Sequence, residues 1–138
     1  MHPPMHLRVL VIDDSLTIRA MVEEIVQHEP GCRVVGTASD VVTARRMLID
    51  LQPNVITLDL AMPGIDGLSF LDELRSRKHA PIVVVSSSTT DGAAATAEAL
   101  AHGADACFDK AKVVSDARRF LHVLDEAVRR QATGTGEE

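Results

Sequence analysis

The sequence predicts an α/β domain, a doubly wound parallel sheet of five strands with five helices on its two faces. Three observations predict it. Apolar runs rich in Val and Ile alternate with stretches whose apolar residues recur at three- and four-residue steps. Three of the runs lack the polar-every-second pattern of a half-exposed strand, which suits strands buried on both faces. Turn-forming residues (Pro30-Gly31, Gln52-Pro53-Asn54, Ala80-Pro81, His102-Gly103) fall between each helical stretch and the next strand.

The elements follow in order. A first strand is expected at 7–12, then a helix with Asp14-Ser15 as its cap and Ile18, Met21, Val22 and Ile25 as its apolar stripe. The second strand covers 34–38, and Ser39-Asp40 precedes the stripe Ala44, Met47, Leu48 and Leu51. The third, 55–58, leads through Asp66 to Leu68, Leu71 and Leu74. The fourth, 82–85, leads through Thr90-Asp91 to Ala93, Ala94, Ala97 and Leu100. The fifth, 104–108, is weaker and precedes Ala117, Leu121, Leu124 and Val128. Residues 1–6 read as an extension, 7–130 as one domain and 131–138 as a disordered polar tail.

Composition narrows the function. Of 138 residues, 46% are hydrophobic and 25% charged, which is globular rather than disordered. A formal charge of −6, with no Trp, no Tyr and 3 Phe, argues against nucleic acid as partner. Apolar runs are too short for a membrane span, and the first residues carry no signal-peptide pattern, so a cytoplasmic address and no membrane partner are expected. Cys32 and Cys107 lie far apart and make no disulfide framework. The six histidines show no metal-ligand spacing, and the Arg118-Arg119 and Arg129-Arg130 pairs read as a solvated helix face.

Ligands of a doubly wound sheet sit beyond the carboxyl ends of its strands. Asp13 and Asp14 follow the first strand, Asp59 the third, Ser86 and Ser87 the fourth, and Lys110 the fifth. Each has a plain structural reading alone: a helix start, a turn, a loop hydroxyl, a surface ammonium. Together they occupy one rim, which separate accidents do not explain. Three close carboxylates repel, so they hold protons or recruit a cation, and hard oxygen ligands suit Mg²⁺. A lysine and a hydroxyl beside them would receive an anion. The set therefore points to phosphoryl transfer, with an aspartate as nucleophile.

The motifs Val11-Ile12-Asp13-Asp14-Ser15, Asp59-Leu60-Ala61-Met62-Pro63-Gly64-Ile65-Asp66-Gly67, Val85-Ser86-Ser87 and Phe108-Asp109-Lys110 resemble the receiver domains of two-component response regulators. The resemblance covers 7–130 and is closest to single-domain chemotaxis regulators; residues 85–88 also resemble receivers attached to chemotaxis methylesterases, with no esterase domain expected in this chain. It implies a flavodoxin-like fold with strand order 2-1-3-4-5. It implies Asp59 as phospho-acceptor, Mg²⁺ on Asp13, Asp14, Asp59 and the Ala61 carbonyl, and a phosphoryl group held by Ser86, Lys110 and the Ser87 N–H. The donor would be a histidine kinase or histidine phosphotransfer protein. The output would be a protein bound through the fourth-helix, fifth-strand, fifth-helix face, the chain being a monomer or a phosphorylation-dependent dimer. On this reading it is a signalling switch and not an enzyme.

Three residues depart from the family pattern. Ala111 follows Lys110 where the family usually has proline, so a trans bond and a rearranged loop are expected. Cys107 takes the place of a switch aromatic, and Phe108 cannot replace it because neighbouring strand residues face opposite sides. Ala61, like Ser88, stands where the family tunes attack by water, and its methyl group orients none; slow dephosphorylation is expected. Two alternatives stand beside the switch. One is an excised or degenerate receiver acting as a scaffold. The other is a phosphohydrolase of the haloacid dehalogenase type, disfavoured because Asp59 follows the third strand and Ala61, not an acid, lies two residues on.

Overall fold

Val, Ile and Leu fill the strands because both faces of the sheet are covered. The strands are β1 (Leu7–Ile12), β2 (Cys32–Ala38), β3 (Val55–Leu58), β4 (Ile82–Ser86) and β5 (Ala106–Asp109). They pair in parallel in the order β2-β1-β3-β4-β5, as expected. The computed structural model describes residues 4–62, 66–76, 79–87 and 92–136. Within these lie six helices: α1 (Leu16–Gln27), α2 (Val41–Leu51), α3 (Gly67–Arg75), α4 (Gly92–Ala101), α5 (Lys112–Ser115) and α6 (Ala117–Gly136).

The sheet has two faces because strand side chains alternate. Val9, Val11, Val55, Val83 and Val85 meet Val22 and Val26 of α1, Val113 of α5, and Phe120, Leu121 and Leu124 of α6. Leu10, Ile12, Ile56, Leu58, Ile82 and Val84 meet Val41 and Ala44 of α2, Phe70, Leu71 and Leu74 of α3, and Ala99 of α4. Cys107 packs on the second face and Phe108 on the first, where its ring lies 5.2 Å from that of Phe120. The two neighbours face opposite sides, as the pleat requires.

Local chemistry starts the helices where the sequence suggests. Ser15 Oγ accepts from Ile18 N (3.3 Å), Asp40 Oδ1 from Thr43 N (2.7 Å) and Asp66 Oδ1 from Leu68 N (3.1 Å). Thr90-Asp91 lies outside the described residues, as do 63–65 of the longest motif and Ser88. At the far end of α2, Gln52 takes a left-handed backbone (φ 48°), and Arg8 donates to the Leu51 carbonyl at 2.7 Å.

Three expectations need correction. A short helix not expected from the sequence, α5, precedes the last one: Asp116 leaves helical dihedrals (φ −135°, ψ 53°), ending α5, and its carbonyl then accepts from Phe120 N to open α6. That makes six helices rather than five. The expected polar tail from Gln131 is helical as far as Gly136; Gln131 Nε2 donates to the His79 carbonyl at 2.8 Å, which holds the helix past its apolar stripe. In α4 the core residue is Ala99, while Ala94, Ala97 and Leu100 are exposed. A run of small apolar residues carries almost no contrast between faces, so its spacing does not say which side turns inward.

Candidate functional site

The register of the two central strands builds the site. Ile12 lies opposite Leu58, so the next residues, Asp13 and Asp59, leave the sheet side by side. Their backbones remain in the ladder: Asp13 N donates to Ala38 O (3.0 Å) and Asp59 N to Ile12 O (2.9 Å). Both carboxylates are buried, at 2% and 3% exposure, while Asp14 beside them is exposed. One oxygen from each of Asp13, Asp14 and Asp59 falls within 4.8 Å of the others. This is the point where strand order reverses, the place a doubly wound sheet offers its ligand.

Each buried carboxylate has one oxygen tied down locally. Asp13 Oδ1 accepts from Ser15 N at 2.8 Å, and Asp59 Oδ1 from Ala61 N at 3.0 Å. The other oxygens face Lys110, whose Nζ lies 3.2 Å from Asp13 Oδ2 and 3.3 Å from Asp59 Oδ2. Lys110 arrives there because its N–H donates to the Ser86 carbonyl at 2.8 Å, extending the pairing of β4 with β5. Its bond to Ala111 is trans.

The electrostatics oppose one another. Burial pushes the Asp13 carboxyl above the usual aspartate range and the Asp59 charge adds to this, although the Ser15 N–H and Lys110 pull the other way. Burial alone would lower Lys110, but the hydrogen bonds and charges of Asp13 and Asp59 outweigh it and hold the ammonium above the ordinary lysine value. One lysine between two buried carboxylates leaves a surplus of negative charge, with Asp14 adding to it. Three hard oxygen donors, one open to solvent, fit a divalent cation that keeps several waters.

Ser86 ends β4 half-buried. Ser87 is exposed and, with Ile18, Met21, Lys110, Ala111 and Val114, lines a hollow of about 420 Å³ beside the site. Ala61 is exposed at the mouth, and Cys107 lies away from the cluster, its Sγ 3.9 Å from the Thr96 carbonyl of α4. The structure thus brings Asp13, Asp14, Asp59 and Lys110 together and keeps Cys107 apart. Sequence reasoning missed Arg19, whose guanidinium donates to the Asp13 carbonyl at 2.8 Å, and nothing in its spacing could have flagged it. Among the described residues no histidine joins a metal-binding cluster.

Fold and site define a class: flavodoxin-like domains that hold an acidic, lysine-bearing pocket at the switch point of the sheet. The family model for the response regulator receiver domain matches residues 9–124, and this chain belongs to that family, the receivers of two-component systems. The response regulator domain of Thermotoga maritima CheB superposes with a TM-score of 0.80 at 34% identity, covering 90% of this chain and 97% of that one. Protein-glutamate methylesterase/protein-glutamine glutaminase 1 of Xanthomonas campestris pv. campestris is 45% identical over 122 residues, 88% of this chain and 34% of the relative. The second such protein of Pseudomonas aeruginosa is 45% identical over 100 residues, 72% of this chain and 29% of the relative.

These relatives correct one expectation. They carry enzyme names, so the reading of this chain as no enzyme does not hold. The chain spans about a third of the length of the curated relatives it matches, and the residues of one domain could not reveal the activity named for the longer proteins. Receiver domains hold Mg²⁺ at an acidic cluster of the kind found here, and they exchange phosphoryl groups with a kinase or phosphotransfer partner. Among the described residues no helix is long and apolar enough to cross a membrane.

Proposed function

We propose that Asp59 is the phospho-acceptor of a signalling switch, fed by the phosphohistidine of a histidine kinase or phosphotransfer protein. The observation that carries this is Lys110 Nζ at 3.2 and 3.3 Å from two buried carboxylates, one of which is Asp59. An Asp59 carboxylate oxygen attacks phosphorus, a P–O bond forms, and the P–N bond breaks, its electron pair leaving with the imidazole. Tying Oδ1 to the Ala61 N–H orients the carboxylate before the donor arrives. Lys110 pairs with the incoming oxygens, and the Ser86 hydroxyl and Ser87 N–H complete the cradle.

Asp13, Asp14, Asp59 and the Ala61 carbonyl would hold Mg²⁺, which neutralises the carboxylates and the phosphoryl oxygens. The added phosphoryl group draws Ser86 and Lys110 inward and shifts the surface of α4, β5 and α6, the output face. Moving a two-state equilibrium from mostly off to mostly on takes ~5 kcal/mol of differential interaction. The names of the relatives support a protein-glutamate methylesterase as the output partner.

Intact-mass measurement after acetyl phosphate and Mg²⁺ tests the acceptor. Wild type gains one phosphoryl group and Asp59→Asn gains none; equal gain by both, or none by wild type, overturns the assignment.

A further inference from the structure

We infer that Asp109 is a positioning residue for Lys110; the inference rests on the acceptor reading above. Asp109 closes β5, and its Oδ1 accepts the N–H of Ala111 at 3.0 Å, forming an Asx turn with Lys110 at its centre. The same turn occurs at two other strand ends of the rim. Asp13 Oδ1 takes Ser15 N, and Asp59 Oδ1 takes Ala61 N. There the turn orients the carboxylate itself. At β5 it orients the residue that it encloses.

Lys110 needs that support. Its ammonium must stay within 3.3 Å of two carboxylates while burial disfavours its charge, and a flexible lysine side chain gives up rotamer freedom to stay put. Its main chain is fixed on three counts: its N–H to Ser86 O, its carbonyl to Val113 N at 3.3 Å, and the Asp109 turn across it. An ionised acceptor makes the last a charge-assisted bond. Ala111 is the necessary partner. Its φ of −64° is one that proline also adopts, but proline would remove the N–H that Asp109 takes. Asp109 and Ala111 therefore act as a pair.

The test follows phosphorylation of Asp59 by acetyl phosphate at saturating Mg²⁺, by intact mass, with hydrogen exchange at the Lys110 and Ala111 amides measured in metal-free protein. Asp109→Ala and Ala111→Pro should each slow phosphorylation roughly fivefold, and the double variant should be no slower than either single one. Exchange at the Lys110 amide should quicken in both single variants, and at the Ala111 amide in Asp109→Ala. Asp109→Asn, whose Oδ1 accepts the same bond, should stay within about twofold of wild type in rate. If wild type is phosphorylated and Asp109→Ala matches it in rate and exchange, the positioning role is wrong while the acceptor reading stands. Additive losses in the double variant overturn it as well. If wild type takes no phosphoryl group the acceptor reading fails, and unchanged exchange in Asp109→Ala then overturns the positioning role separately.

Discussion

Asp13 shows how a residue can serve function at a cost to stability. Its carboxyl is buried, it faces a second buried carboxylate, and its pKa is raised mainly by loss of solvent. For an acid whose folded pKa lies above the unfolded value, the ionised form is penalised on folding. The penalty is fully present above the folded pKa and disappears as pH falls below the ordinary aspartate value. Metal-free Asp13→Asn should therefore be more stable than wild type at pH 7 by about 1 kcal/mol. Its Oδ1 keeps the bond from the Ser15 N–H, and the gain should vanish in urea titrations repeated near pH ~3. A variant less stable than wild type at neutral pH would show that the Lys110 contact outweighs burial and repulsion.

At the scale of elements, the rim depends on how closely a helix approaches a loop. Gly67 opens α3, and a Cβ there would lie 2.7 Å from Leu60 Cα and 2.8 Å from the Leu60 carbonyl. Backbone cannot step aside as a side-chain tip can. Gly67→Ala should cost about 1–3 kcal/mol in chemical denaturation. It should also slow phosphorylation, because the displaced Leu60 adjoins Asp59. The same scale separates what was legible in the sequence from what was not. Strands β1 and β3 stand where their β-branched runs put them, and Ser15, Asp40 and Asp66 cap their helices, since these signals are local. Helix α4 was misread because every side of an alanine-rich helix looks alike, and only its packing against the sheet at β5 selects Ala99. The short helix α5 went unread too, because four residues make a single turn and show no apolar period.

For the whole molecule, a site with surplus negative charge would make folding and cation binding one equilibrium. Mg²⁺ that binds the folded chain alone should stabilise it by RT ln(1 + [Mg²⁺]/Kd), about 2.7 kcal/mol at a hundredfold excess over Kd. Thermal melts should show this rise for wild type and a much smaller one for Asp59→Asn, which removes a central carboxylate from the cluster. No rise in wild type would separate the acidic trio from metal binding. The charge of the rim was readable from the sequence, since four of five strands end in polar or charged residues. How that charge is balanced was not.

The sequence by itself determined the alternation of strand and helix, the burial of the sheet on both faces and the identity of the residues at its carboxyl edge. Periodicity and capping are properties of neighbours in the chain, and they survive in a one-dimensional reading. Tertiary structure decided which of those residues meet. Parallel pairing set Asp13 against Asp59, the β4–β5 ladder carried the Lys110 ammonium between them, and the pleat turned Cys107 from Phe108. Such contacts join segments far apart in sequence, and their distances depend on register and packing that no local pattern encodes.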